Sequence, residues 1–87
     1  MSNAEKTAET LYQAFLDADE KRKGDPVWGT RNGENALMAL CEHIKRNDSQ
    51  IAPDVKERIV RNLQKQNLVY YRSYCREHLL DIGVTNV

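Results

Sequence analysis

From Pro53 to Gly83 the chain runs for about 29 residues without an internal glycine or proline, and that stretch constrains the fold more than any other feature. Pro53 suits the first position of a helix, Asp54 and Glu57 suit its positive N-terminal end, and Gly83 is a natural stop. At 1.5 Å per residue the helix would be roughly 43 Å long. With no residue to break it, the expectation is one continuous helix rather than a helix interrupted near Gln66-Asn67.

Two shorter helices precede it. Ala8, Leu11, Tyr12, Phe15 and Leu16 repeat at the spacing of one helical face, predicting a helix from Ala4 to about Lys23 that is stopped by Gly24 and Asp25-Pro26. Residues 25–33 (DPVWGTRNG) then read as a loop by their Pro, Gly and Asn-Gly content. Leu37, Leu40, Cys41 and Ile44 mark a second helix from Gly33 to Asn47. No segment alternates as a strand does, so the expected class is all-α: three helices, the C-terminal one long, in a single domain spanning 1–87. Met1-Ser2-Asn3-Ala4 resembles the scar left by expression vectors and is given no functional weight.

Charge is balanced overall, 13 basic against 13 acidic residues, but unevenly placed. Residues 1–20 carry Glu5, Glu9, Asp17, Asp19 and Glu20 against Lys6 alone, whereas residues 56–76 carry six cations against Glu57 alone. On a wheel of the long helix, Arg58, Arg61, Lys65, Arg72 and Arg76 fall within an arc of about 60°. Such a stripe repels itself unless something acidic covers it: nucleic-acid phosphate, an acidic protein, or the acidic first helix of the same or another chain. Tyr70, Tyr71 and Tyr74 lie on the opposite side, so rings and cations are not arranged to stack and clamp single-stranded bases.

Residues 68–82 are apolar on more than one side, which two short neighbours could not cover. The expectation is a homodimer in which Leu68, Tyr71, Tyr74, Cys75, Leu79 and Ile82 face a second copy.

The cysteines and histidines invite a metal reading that their spacing rejects. Cys75 and His78 could share an ion, but Cys41 and His43 point about 200° apart on a helix, and Cys41 continues an apolar stripe. No carboxylate is placed to orient a Cys75–His78 pair for nucleophilic catalysis, and Gly24, Gly29 and Gly33 match no phosphate-binding loop. No metal, cofactor or catalytic residue is expected. Trp28 is expected to plug the end of the core. Two cysteines without a secretory leader suit a reducing, cytoplasmic setting. The functional expectation is therefore a small intracellular non-catalytic interaction or regulatory protein that binds a macromolecule, as the homodimer above. The alternative is a nucleic-acid-binding protein whose stripe contacts phosphates, although residues 33–47 and the helix beginning at 53 are linked too loosely for a helix-turn-helix.

Overall fold

The computed structural model describes residues 2–87, among which helix is the only regular secondary structure. Four α-helices, α1 (Asn3–Arg22), α2 (Pro26–Arg46), α3 (Pro53–Lys65) and α4 (Arg72–Asp81), are joined with short 3₁₀ turns at Asp48–Gln50 and Val69–Tyr71.

Helix α1 starts on a capping box. The Ser2 hydroxyl accepts from the Glu5 N–H, and the Glu5 carboxylate accepts from the Ser2 N–H at 2.9 Å. The same two side chains pin α1 to the link before α3: Ser2 Oγ donates to the Gln50 carbonyl, and the Ala52 N–H donates to Glu5. Ala4 is buried, so residues 2–4 belong to the fold even though their composition resembles a vector scar. Met1 lies outside the described residues.

Residues 25–33 are not a loop. Asp25 caps α2 by accepting from the Trp28 N–H, and Pro26 opens the helix, so the Asp-Pro pair that ends α1 also begins α2. The glycines that suggested a turn are contact points between packed elements. A Cβ on Gly29 would lie 2.6 Å from the backbone nitrogen of Arg22, and one on Gly33 would lie 2.5 Å from Tyr71 Cε1. Trp28, expected in the core, is 60% exposed, because with α2 begun at Pro26 it is Gly29 that turns toward α1.

The long helix is broken. Gln66 is extended at φ −86° and ψ 154°, the Asn67 side chain accepts from the Val69 N–H, and helix resumes through Val69–Tyr71 into α4. Carbonyls freed at the end of α3 find a partner in the tail: the Asn86 amide donates to Gln64 O at 2.9 Å and Gln66 O at 3.0 Å. Gln64 in turn accepts from the Thr85 and Asn86 N–H groups. Gly83, at φ 99°, ends α4 with the Val84 N–H returning to the Leu79 carbonyl. The break allows the apolar residues after it to reach Phe15, Leu37, Leu40 and Ile44 in one core.

Candidate partner-binding surface

Breaking the helix at Gln66 divides the five-cation stripe between two elements. On α3, Arg58 pairs with Glu9 of α1, and Arg61 pairs with Glu57 one turn away at 3.1 Å. Lys65 ends α3, and Arg72 and Arg76 lie on α4; all three are exposed and make no ion pair among the described residues. The stripe is thus part internal, through Glu9 of the acidic first helix, and part open. The open part brackets the bend between α3 and α4, called the elbow below.

Two aliphatic side chains share the arginines' face. Val69, Arg72, Arg76 and Leu80 fall within about 80° of arc around α4 and the turn leading into it. Val69 is 48% and Leu80 46% exposed, so this face presents aliphatic as well as cationic surface to solvent.

The residues expected at a dimer interface are placed differently. Leu68, Tyr71, Cys75, Leu79 and Ile82 are buried within the single chain, and only Tyr74 is open. Once the helix bends, those five join the core formed with α1 and α2, which removes the reason for assigning them to a second copy, while Val69, Tyr70, Tyr74 and Leu80 stay exposed.

The tyrosines are mostly committed as well. The Tyr71 ring packs edge-on against Phe15, with centroids 5.2 Å apart, and its hydroxyl donates to Asp19. Burial first, and the Asp19 hydrogen bond second, push its hydroxyl pKa above the ordinary 10.0. Asp19 also accepts from Arg22 Nε at 3.2 Å, and the Arg22 guanidinium lies 3.7 Å over the centre of the Tyr70 ring. One face of Tyr70 is therefore taken.

No nucleophile or metal centre is assembled from the candidates. Cys41 and Cys75 are buried free thiols. Burial, then the neighbouring Cys75, pushes the Cys41 thiol up to about 12; burial, then Glu34, pushes Cys75 up to about 11. His43 is occupied elsewhere, its Nε2 2.8 Å from the Ala4 carbonyl and its Nδ1 facing the Asn47 amide. This geometry fits a proton on Nε2. His78 lines a shallow pocket with Glu42, Lys45, Arg46 and Asp81, and no group of three metal-ligating side chains occurs among the described residues. A second cleft, of ≈ 330 Å³, has Ile51, Pro53, Val60 and Ile82 beneath charged Asp48, Lys56 and Glu57. Asp48 and Lys56 pair with each other at its rim.

Sequence reasoning did not find the elbow, because it treated residues 53–82 as one rod. The signal was present: a helix apolar on nearly every side is one that needs to turn into its own core. The chain matches no protein-family model, no curated protein and no solved structure.

Proposed function

We propose that the chain is a small, non-catalytic interaction protein that binds an acidic macromolecule through the elbow, in keeping with a regulatory role in a reducing, cytoplasmic compartment. The observation that carries this reading is the division of the stripe. Arg58 and Arg61 are given carboxylates, whereas Lys65, Arg72 and Arg76 are left without any and stay exposed. Buried neutral thiols at Cys41 and Cys75 suit the reducing setting. The reading needs no second copy of the chain. Nucleic acid is the second reading, since Arg72 and Arg76, one helical turn apart, have the spacing to meet successive backbone phosphates.

The test is a titration of isotope-labelled protein with polyglutamate and, separately, with oligo(dT), following backbone amide shifts. Changes should concentrate at Lys65, Arg72 and Arg76 and vanish in the Arg72→Glu, Arg76→Glu protein. Changes centred on Arg58 and Arg61, or persisting after the reversal, would contradict the proposal.

A further inference from the structure

We infer that the partner at the elbow is an acidic amphipathic helix of a protein, a conclusion that rests on the reading of the elbow as a binding surface. The three cations specify negative charge, which a nucleic acid and an acidic polypeptide share. The residues between and beside them separate the two. Val69 and Leu80 lie on the same face as Arg72 and Arg76, each about half exposed, and an aliphatic side chain set against hydrated phosphate gains nothing from the contact. A single-strand binder needs rings beside its cations, and none is offered. Tyr70 has one face covered by Arg22 and lies well around the axis from the arginines, and Tyr71 is buried. Tyr74 is exposed but sits about 160–200° around α4 from the arginines.

A helical partner satisfies every group on the face at once. From Val69 to Leu80 is about 16 Å along the axis, three turns, so a facing helix with aliphatic residues at i, i+4, i+7 and i+11 can lie against both ends. Carboxylates flanking that aliphatic seam would then meet Arg72 and Arg76 in the middle, with Lys65 beyond the bend. The aliphatic ends supply apolar burial and the cationic centre supplies charge selection and register.

The experiment uses the full chain and three fluorescent probes: a designed amphipathic peptide with leucines on one face and glutamates beside them, the same peptide with glutamine for glutamate, and oligo(dT). Binding is read by anisotropy for the unmodified protein, the Arg72→Glu, Arg76→Glu protein and the Val69→Ser, Leu80→Ser protein. Circular dichroism of each variant establishes that it is folded. Expected is binding of the glutamate peptide, lost with the arginine reversal, weakened at least about tenfold by the serine pair, and weaker by a similar factor for the glutamine peptide. Oligo(dT) bound as tightly as the peptide, with no effect of the serine pair, overturns the amphipathic-helix inference while leaving the elbow as an anion-binding surface. No binding of peptide or oligo(dT) at concentrations on the order of 1 mM overturns both. Should the serine pair fail to fold, Val69→Thr alone takes its place, with a smaller loss expected on the peptide and none on oligo(dT).

Discussion

Gly33 shows how much one side chain can decide. It sits inside α2, where alanine is ordinarily better by about 1 kcal/mol, yet an added methyl would overlap the Tyr71 ring, which Phe15 and Asp19 hold in place. Gly33→Ala should therefore lose about 1–2 kcal/mol net in urea unfolding, the overlap outweighing the propensity gain. Gly29→Ala should lose at least as much, because its neighbour is backbone. Gly24 is the control: a Cβ there meets only the Lys21 carbonyl at 3.9 Å, so Gly24→Ala should be neutral or stabilising by about 0.5 kcal/mol. The cysteines give a chemical check at the same scale. With both thiols buried and their pKa values raised to about 12 and about 11, the native protein should resist a thiol reagent at neutral pH, and both should react at once in denaturant. Rapid labelling of either cysteine in the native state would contradict their placement.

At the scale of the element, the ends of helices are where sequence reading succeeded and failed. Gly24 and Asp25-Pro26 marked the end of α1 because a stop signal is local. The same Asp-Pro pair also starts α2, and nothing local distinguishes a glycine that turns the chain from one that admits a neighbour, so Gly29 and Gly33 carry a loop signal inside a helix. The break at Gln66–Asn67 was legible only as an alternative, because its cause is tertiary: Asn86, twenty residues away from Gln66, caps α3, and the core accepts Leu68, Tyr71 and Cys75 only if the chain bends. Of the candidate site, the cations were named but their division was not, since Glu9 meets Arg58 only in the folded chain. Two consequences follow for the ends themselves. Asn86→Ala should destabilise by about 1–2 kcal/mol, with hydrogen exchange rising first at the C-terminal turn of α3. Glu5 is held below its ordinary 4.5 by the N–H of Ser2 and then that of Ala52. Its contribution is therefore present above that pH and fades as pH falls through the depressed folded value. Glu5→Gln should be less stable than the unmodified protein at neutral pH, and the gap in urea midpoints should close below about 4.5 as the carboxylate is protonated.

Over the whole molecule, bending the chain at Gln66 converts a projecting rod into a body of 36 × 23 × 19 Å with a radius of gyration of 12.2 Å. A compact chain of this length is expected near about 12 Å, so the single chain already has globular dimensions. What the bend leaves outside is the elbow, and its exposed charges contribute little to stability. Arg72→Glu, Arg76→Glu should unfold within about 1 kcal/mol of the unmodified protein while losing anion binding. All of this depends on residues 68–82 returning to α1 and α2 rather than continuing the line of α3. The most direct measurement is nuclear Overhauser contact in the labelled protein. Cross-peaks are expected from the Tyr71 ring to the Phe15 ring and to the Gly33 α-protons, with helical connectivity interrupted at Gln66–Leu68. Unbroken helical connectivity from Pro53 to Asp81, with Tyr71 silent toward Phe15 and Gly33, would contradict the bend.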